Sequence, residues 1–418
     1  MPAAQQTQAQ QNQSLNQLAR QAIRSRGVRR NQVIFDQTYT GTIPSQIQVI
    51  PRNVGLVMGF WVKVVAVITN NGAAHTIIPT DFGPANLVSQ FQLNDLQNNT
   101  RIQTTGFHEA FLNSWKTKRI FASALTGVRG TNTGTQTTGN ADYGQDSPMG
   151  YGSNWTEISA PVSIAASAGT GMLTMWWYIP LAYNPDAPNM PDFRGAVYAN
   201  VVNATWQLLI NTPGTYGNQL VAAFGTDSTQ AVMIQSAAET VSAALTSYRL
   251  EVYQDYYDQL PTGNAGVLLP ILDLATIYER KYTSQSAITP SQDFPYQYAN
   301  FRQFLSTLAI YVNTAATGAR GVGADINYWA LQAANFSNIW KEEPALPALR
   351  VRQHIGADLP PGCYWFDSRN RPISTTQYGN MELILNPITA GTGAYELVMV
   401  EDFAIVQTLS MAGSLAAS

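Results

Sequence analysis

Three histidines and a single cysteine are the residues of this 418-residue chain that could most readily bind a metal or serve a catalytic centre. His75, His108 and His354 are far apart in the sequence, and no His-x-x-x-His or Cys-x-x-Cys spacing occurs. A catalytic triad is recognised by geometry, but no Gly-x-Ser-x-Gly motif supports one. We therefore predict no enzymatic activity and no catalytic, cofactor-binding or metal-binding residues, and we interpret the histidines as packed or solvated.

Pairs of neighbouring acids and one glycine-rich segment are the remaining signals for a cation or phosphate site. Residues 318–323 lack the Gly-Lys-Ser/Thr ending and the strand–helix context of a phosphate-binding loop, so we interpret them as a flexible loop tip. Paired acids can hold a cation or act as acid and base, although solvated faces or interface contacts are the favoured interpretation. The pairs are Asp255 with Asp258, Glu342 with Glu343, and Glu401 with Asp402.

A basic N-terminal arm stands out from a mildly acidic chain, whose net charge is −3. Ser14 and Gln17 form a capping-box pattern and Gly27 suits the position after a last helical turn, which predicts a helix at residues 15–26. Apolar residues recur along one face of this helix, so it needs a partner surface. The candidate contact residues of the arm are Leu15, Leu18, Ile23, Arg20, Arg24, Arg26, Arg29 and Arg30.

Charged residues make up only 12% of the chain, about half of the ~25% typical of soluble proteins. With 9 Trp, 20 Tyr and 15 Phe, this composition is typical of surfaces covered by neighbouring proteins, although a Tyr-rich β core would give the same numbers. The small negative net charge argues against direct nucleic-acid binding. Because Cys363 is the only cysteine, no intrachain disulfide framework is possible, which fits synthesis in a reducing cytoplasm.

The longest apolar run, Leu56–Ile68, contains Lys63 and is shorter than the ~20 residues of a membrane-spanning helix. No secretory signal is visible at the N-terminus. Alternate residues from Leu56 to Ile68 are wholly apolar, while Gly59, Trp61 and Lys63 lie on the other face, which predicts a long sandwich strand. Similar strands are predicted at Met172–Ile179, Thr205–Ile210 and Tyr248–Tyr253.

One further helix, one long loop and a domain boundary follow from the pattern. Phe107–Arg119 predicts a helix that covers the end of a sandwich. The Gly- and Thr-rich segment 126–152 has no periodicity, which indicates an exposed projection or an interaction loop. The breaker cluster Leu260–Gly263 is the best domain boundary. Further strands are predicted at Val267–Ile277, Phe304–Val312, Met381–Leu385 and Glu396–Gln407.

Many short strands with Gly/Pro turns, in two halves each long enough for eight strands, favour an all-β fold. The predicted architecture is two tandem eight-stranded jelly rolls, a double jelly roll, with a short N-terminal helix and a few short helices in loops. The predicted domains are an N-terminal basic amphipathic arm at 1–44, a first jelly roll at 45–260, a second jelly roll at 261–408 and a C-terminal tail at 409–418.

Several strings of residues, in the same order along the chain, resemble the tectivirus major capsid proteins. The longest is Thr80–Val88, which follows a shorter match at Ile68–Asn71. The resemblance covers roughly residues 45–390, whereas the arm and the loop at 126–152 do not align. The other similar strings are Pro180–Tyr183, Gly195–Val201, Asp258–Pro261, Asp273–Thr276, Gln297–Asn300, Leu305–Thr307, Asp325–Tyr328, Ala334–Ser337 and Gln377–Asn380.

This resemblance implies a major capsid protein with its two jelly rolls side by side and with three subunits in each pseudo-hexagonal capsomer of an icosahedral shell. It implies a bacteriophage with an internal lipid membrane around double-stranded DNA, and a protein that is made in the host bacterial cytoplasm and resides in the virion capsid. The implied partners are the other subunits of a homotrimer, neighbouring capsid trimers, penton and minor capsid or membrane proteins, and the internal membrane.

Within that framework, we hypothesise that the arm lies inside the shell. Its apolar stripe would meet lipid or a neighbouring trimer, and its arginines would meet anionic headgroups. For the whole chain, the alternative is a jelly-roll carbohydrate-binding or receptor-attachment module, which would bind its ligand through loops such as 126–152.

Overall fold

The computed structural model of the protein describes residues 8–405 with gaps. Outside the described part lie residues 1–7, 80–82, 97, 118–139, 143–158, 162, 188–190, 200–204, 214–218, 223–230, 238–241, 259, 261–275, 289–291, 298–301, 315–318, 321–325, 334–335, 344, 356–362, 375–380, 388–393 and 406–418. Within the described ranges, most residues lie in strands, and no helix there is long and apolar enough to cross a bilayer.

The first half of the chain contains two α-helices, one 3-10 helix and fourteen strands among its described residues. In chain order these elements are α1 (Gln8–Arg26), β1 (Arg29–Thr40), β2 (Gln46–Val49), β3 (Leu56–Asn70), β4 (Ile77–Pro79), the 3-10 helix (Gly83–Leu87), β5 (Gln90–Asn94), β6 (Thr100–Thr104), α2 (Gly106–Thr117), β7 (Asn140–Asp142), β8 (Ser159–Pro161), β9 (Gly169–Pro180), β10 (Val197–Tyr198), β11 (Gln207–Asn211), β12 (Gln219–Ala222), β13 (Ala231–Gln235) and β14 (Ala243–Tyr257).

The second half contains one α-helix and ten strands among its described residues. They are β15 (Thr276–Ile288), β16 (Phe294–Gln297), β17 (Arg302–Thr314), β18 (Ala319–Arg320), β19 (Ile326–Ala333), β20 (Phe336–Glu342), α3 (Ala345–Ile355), β21 (Cys363–Asp367), β22 (Ile373–Ser374), β23 (Met381–Pro387) and β24 (Ala394–Ile405).

Each half folds as a jelly roll, and the two halves have the same strand order. In the first roll, β1-β14-β3-β9 form one sheet and β2-β11-β5-β6 form the other. In the second roll, β15-β24-β17-β21 and β16-β23-β19-β20 pair in the equivalent order. We number the eight strands that form these sheets in chain order within each roll. In the first roll they are β1, β2, β3, β5, β6, β9, β11 and β14, and in the second they are β15, β16, β17, β19, β20, β21, β23 and β24. In both rolls the sheets then have the orders 1-8-3-6 and 2-7-4-5, the double Greek key of a jelly roll. The predicted double jelly roll is confirmed.

A parallel strand pair joins a sheet of the first roll to a sheet of the second roll. The last strand of the first roll's second sheet, β6, pairs with the first strand of the second roll, β15. The paired residues are Ile102 with Arg280 and Gln103 with Lys281. The rolls are therefore linked by backbone hydrogen bonds as well as by side chains.

The core of the first roll follows the predicted alternation. The alternate residues from Leu56 to Ile68 are all 0% exposed, while Trp61 and Lys63 on the other face of β3 are half-buried. On the buried face, Phe60 packs against Trp206 at 5.5 Å between ring centroids. A strand with one face packed on a core and the other partly solvated gives this pattern in an antiparallel sheet.

The arm ends earlier than predicted, because β1 belongs to the first roll. This strand pairs with β14 along its length, from Arg29 opposite Tyr257 to Thr40 opposite Ser247. The predicted border at residue 44 therefore lies beyond a strand that the roll needs for its 1-8-3-6 sheet. The other two predicted borders, 260/261 and 408/409, fall beside or within ranges outside the described part.

The helix α1 ends where predicted but begins at Gln8, seven residues before Leu15. Gly27 donates its N–H to the carbonyl oxygen of Ile23 at 2.8 Å, as expected after a last turn. The helix continues through Ser14 toward the N-terminus because glutamine is a good helix former and no Gly or Pro interrupts residues 8–14. The capping-box pattern at Ser14 therefore does not mark the N-terminus of α1.

Other sequence predictions can be compared with the elements directly. The helix predicted at Phe107–Arg119 is α2, described to Thr117. The strands predicted at Phe304–Val312 and Met381–Leu385 are β17 and β23, and that at Glu396–Gln407 is β24, described to Ile405. Of Val267–Ile277, only Thr276 and Ile277 are described, as the start of β15. Within 318–323, Ala319–Arg320 pair with β17, which corrects the interpretation as a loop tip there.

Candidate assembly interface

One face of α1 is buried against its own chain. Ala19 and Ile23, which lie one turn apart, are each only 1% exposed. Ile23 belongs to an apolar cluster with Met58 and Tyr257 of the first sheet and with Phe193. Burial of a side chain of this size stabilises the folded state by about 1.5–3 kcal/mol. The partner surface that this face of the helix needs is therefore supplied by the chain itself.

Arg29 fastens the start of β1 to a buried carboxylate. Its Nε donates to Oδ1 of Asp255 at 2.8 Å and its Nη2 donates to Oδ2 at 2.6 Å, and the Asp255 side chain is 0% exposed. Tyr178 donates its hydroxyl to the same carboxylate at 2.9 Å, and Asp186 pairs with the guanidinium from outside. The hydrogen bond to Asp255 raises the pKa of Arg29, while burial, followed by the charge of Asp255, raises the pKa of Tyr178.

A loop between β9 and β10 receives two further arginines of the arm. Arg20 is 7% exposed and lies 3.5 Å from the carboxylate of Asp192. Arg24 donates from Nη1 to the carbonyl oxygen of Ala187 at 2.6 Å. Charge-assisted contacts of this kind fix orientation as well as contributing energy. These contacts hold α1 beside the first sheet in one position.

The side chains of seven of the eight predicted arm residues are described, and they fall into two groups. Ile23, Arg20 and Arg29 lie against the chain's own sheet and loop, which corrects the expectation that they meet lipid, anionic headgroups or a neighbouring trimer. Leu18 is 62% exposed, and Arg30, which pairs with Asp258, keeps 53% of its side chain exposed. Arg24 and Arg26 are also exposed, whereas the side chain of Leu15 is outside the described part.

The junction between the rolls contains a buried ion pair that the sequence reading missed. Glu109 on α2 and Arg280 on β15 have side chains that are both 0% exposed, and Arg280 Nε donates to Glu109 Oε2 at 3.1 Å. Arg280 also donates from Nη1 to the carbonyl oxygen of Pro180 at 2.8 Å. Burial raises the pKa of Glu109 and lowers that of Arg280, and each charge opposes the shift of the other.

Aromatic side chains of α2 extend the junction into the second roll. Trp115 donates its Nε1–H to Oδ2 of Asp367 at 2.8 Å. Its ring lies 5.2 Å from the ring of Trp365, and the ring of Phe111 lies 5.0 Å from Trp365. His354 of α3 stacks on Trp115 at 4.0 Å. The helix predicted to cover a sandwich end instead packs between the two rolls.

His108 is a buried neutral residue of the same helix. It is 0% exposed, and its Nδ1 lies 2.5 Å from the hydroxyl oxygen of Thr105. Burial lowers the pKa of His108 to about 3. The histidine is thus packed, as predicted, and His75 and His354 are both half-buried elsewhere.

Three of the six acids that are neighbours in the sequence pair with arginines in the structure. Asp255 and Asp258 bind Arg29 and Arg30 respectively. Glu342 lies 2.5 Å from a guanidinium nitrogen of Arg350, while its neighbour Glu343 is exposed. Asp255 and Glu342 are therefore buried, which corrects the interpretation of these two acids as part of a solvated face. The side chains of Glu401 and Asp402, on β24, are outside the described part.

A faint sequence signal existed for the buried ion pair. Arg280 lies in the charged triplet 279–281, between Tyr278 and Tyr282, just beyond the strand predicted at Val267–Ile277. If the aromatic residues bury this part of the strand, its charges need partners, because an unpaired buried charge is costly. The loop at 126–152 cannot be compared in the same way, because only its residues 140–142 are described.

Two models of one family of viral proteins match most of the chain. The family described as P3 major capsid protein N-terminal matches residues 4–260, and P3 major capsid protein C-terminal matches residues 275–417. The chain is 37% identical over 406 residues to Major capsid protein P3 of Enterobacteria phage PRD1, covering 97% of this chain and 95% of that protein.

Solved structures of viral proteins share the fold at low sequence identity. The crystal structure of the STIV MCP aligns with a TM-score of 0.59 at 13% identity, over 92% of this chain and 100% of that chain. A chain from the atomic structure of Sulfolobus Turreted Icosahedral Virus aligns with a TM-score of 0.59 at 14% identity, over 94% of this chain and 96% of that chain. These likenesses concern the fold alone.

Proposed function

This chain belongs to the P3 major capsid protein family, and from that premise we propose that three copies form a pseudo-hexagonal capsomer of an icosahedral virion. The chain is a virion structural protein, a role that needs no catalytic centre. The proposed virus is a bacteriophage with an internal membrane around double-stranded DNA. In this proposal the chain is made in the host bacterial cytoplasm and contacts neighbouring trimers, penton proteins and minor capsid or membrane proteins.

The observation that carries the proposal is the repetition of one fold within one chain. Both rolls have the same 1-8-3-6 and 2-7-4-5 strand order, and β6 joins them to β15 edge to edge. A closed ring of three such chains presents six similar rolls, so a threefold assembly can tile a hexagonal lattice. The low fraction of charged residues, 12%, fits surfaces that are covered by copies of the same chain.

The trimer is tested by the mass of the purified protein in solution. Size-exclusion chromatography with light scattering should give three times the chain mass of 45.6 kDa. A species that stays at the mass of one chain at high concentration would remove the capsomer proposal. A dimer would do the same, because it cannot supply six rolls.

We propose that the exposed side of the arm contacts the internal membrane or a neighbouring trimer. The exposed side chains of the predicted arm residues are Leu18, Arg24, Arg26 and Arg30. Each cation near an anionic surface contributes about 1 kcal/mol. One arm therefore binds weakly, and repetition over many capsomers supplies the avidity.

The arm proposal is tested by co-sedimentation of assembled shells with vesicles that contain anionic phospholipid. The double variant Leu18→Ser, Arg26→Ser should bind several-fold less than wild type at low salt. The matched control Ile50→Ser, Arg52→Ser removes an apolar residue and an arginine from another exposed position and should bind like wild type. Equal binding by both variants would leave the contact with a neighbouring trimer as the arm's role.

A further inference from the structure

The contact between the two rolls within the chain predicts a contact between chains. In the first roll, β6 is the fifth strand and leads directly into α2. Both elements face the second roll, where β6 pairs with β15 and α2 places Glu109 on Arg280. The junction thus joins the fifth strand and the following helix of one roll to the first strand of the next roll.

The chain contains a second fifth strand with its following helix, and a second first strand, neither of which takes part in this junction. The fifth strand of the second roll is β20, which leads into α3, and the first strand of the first roll is β1. Among the described strands, β20 and β1 each end their sheets, in the orders β16-β23-β19-β20 and β1-β14-β3-β9. An edge strand presents unpaired backbone groups to another strand.

Large apolar side chains of α3 are more exposed than those of α2. In α2, Phe107, Phe111 and Leu112 are at most 1% exposed, whereas α3 buries Val351 but leaves Leu346 and Leu349 46% and 58% exposed. These two leucines lie three residues apart on one helical face. Large apolar side chains grouped in this way on a surface indicate a contact site.

The two edge strands show the same contrast as the helices. Tyr278, Glu279 and Arg280 on β15 are buried, whereas every residue of β1 is exposed or half-buried. On β1, Val33 is 44% exposed although it lies within a strand of the sheet. The first strand of a roll is therefore covered where a neighbouring roll is present and open where none is present.

We propose that β20 and α3 of one copy pack against β1 of a second copy, with β20 beside β1 in parallel as β6 lies beside β15. The proposal rests on the proposed trimer and assigns its contact surfaces. The contact is head-to-tail, because different surfaces of the two copies meet, and such contacts generate rings when the rotation closes. If this contact repeats the internal one, three chains close a ring of six rolls through six similar junctions.

A second copy fits these surfaces better than a lipid surface does. A strand edge needs a partner with its own unpaired backbone groups, and β1 supplies one. The occupant is therefore another polypeptide edge, and this chain carries one of the required kind.

The first test places a charge in the proposed contact without changing the isolated chain. Leu349→Glu replaces an exposed side chain by another good helix former, so folding should be unaffected. Buried in the contact, the carboxylate would be unpaired and should weaken trimer formation at least ~10-fold, measured as the concentration of half-dissociation by light scattering. The matched control Ile50→Glu changes a residue that is 61% exposed and should assemble like wild type.

The second test detects the contact by cross-linking. In a Cys363→Ser background, one cysteine replaces the exposed Lys341 of β20, and a second replaces each β1 position from 29 to 40 in turn. Oxidation of assembled protein should give covalent species of two and three chains for some positions and none above three. A cysteine pair that joins Lys341 to position 172 on β9 is the negative control.

The possible outcomes separate this inference from the proposed function. A wild-type protein that never exceeds one chain removes both. A wild-type trimer that survives Leu349→Glu and gives no cross-link between β20 and β1 overturns the assigned surfaces but leaves the trimer standing. Loss of assembly together with a lowered unfolding temperature would make the first test a folding defect, and the cross-links then decide.

Discussion

The helices α2 and α3 occupy equivalent positions in the two rolls, yet the rest of the chain covers α2 more completely than α3. α2 lies between the rolls, with Glu109, Phe111 and Leu112 buried, whereas α3 keeps Leu346 and Leu349 exposed. The strand order around the two helices is the same, so topology does not explain the difference. The difference lies in what each helix packs against: α2 lies between its own roll and the second roll, whereas α3 contacts α2 through His354 and leaves Leu346 and Leu349 exposed.

Among the substitutions that test this comparison, the largest expected loss of stability comes from removing the buried ion pair at the junction. Arg280→Met leaves the Glu109 carboxylate buried without its partner and should lower the free energy of unfolding by about 3–5 kcal/mol. Denaturant unfolding at neutral pH measures the loss. The double variant Arg280→Met, Glu109→Leu should recover most of it, because no buried charge then remains unpaired.

An exposed arginine provides the contrast for that prediction. Arg249 pairs with Asp36 across β14 and β1, and both side chains are 46% exposed. Arg249→Met should leave the unfolding free energy close to that of wild type, because solvent screens the pair. A loss as large as that of Arg280→Met would show that burial at the junction is not the source of the effect.

Leucine-to-alanine substitutions in the two helices test the same comparison with a smaller expected loss of stability. Leu112→Ala should lower the free energy of unfolding by about 2–4 kcal/mol, since it removes a side chain that is 0% exposed and leaves a cavity. Leu349→Ala, at 58% exposure, should have little effect on the dissociated chain. Similar losses at both positions in the monomer would contradict the view that the chain itself leaves Leu349 uncovered.

The smallest expected effect is a dependence of stability on pH. His108 has a folded-state pKa of about 3, below the ~6.5 of an unfolded histidine. Its contribution is therefore complete above pH ~6.5 and is lost as the pH falls toward 3, because the unfolded chain takes up the proton first. Between pH 7 and 5.5 the loss should be about 1 kcal/mol.

The pH prediction is checked by comparing unfolding free energies of wild type and His108→Gln over that range. The variant should lose this part of the slope even if its overall stability is lower. The control His354→Gln removes the half-buried histidine of α3 and should retain the slope. An unchanged slope in His108→Gln would assign the pH dependence to other groups.

The fold could be predicted from the sequence because its main signals are local. The alternation along Leu56–Ile68 specifies one buried face of β3, and breaker residues separate the strands. The strand β1 was not predicted, because residues 29–40 are mostly polar and follow a basic helix. Its partner, β14, is more than 200 residues away in the chain, so no local pattern reports the pairing.

The candidate interface was only partly predictable, for the same physical reason. The amphipathic pattern of α1 correctly indicates that Ile23 needs a partner, but it does not say whether that partner is lipid, another copy or the chain itself. The sequence predicts that Arg20, Arg24 and Arg29 form a basic surface. In the structure, the loop that contains Asp186 and Asp192 lies against these arginines. Burial of charge depends on tertiary proximity, which residue spacing does not encode.

The parallel pairing of β6 with β15 has a consequence during synthesis. The first roll is complete once Tyr257 has left the ribosome, but Arg280 and the rest of β15 emerge later. During that interval the edge of β6 and the aromatic face of α2 are open to solvent, with Glu109 lacking its counter-charge. Nascent chains paused there are aggregation-prone, so we expect a fragment ending near residue 260 to need a chaperone or to precipitate.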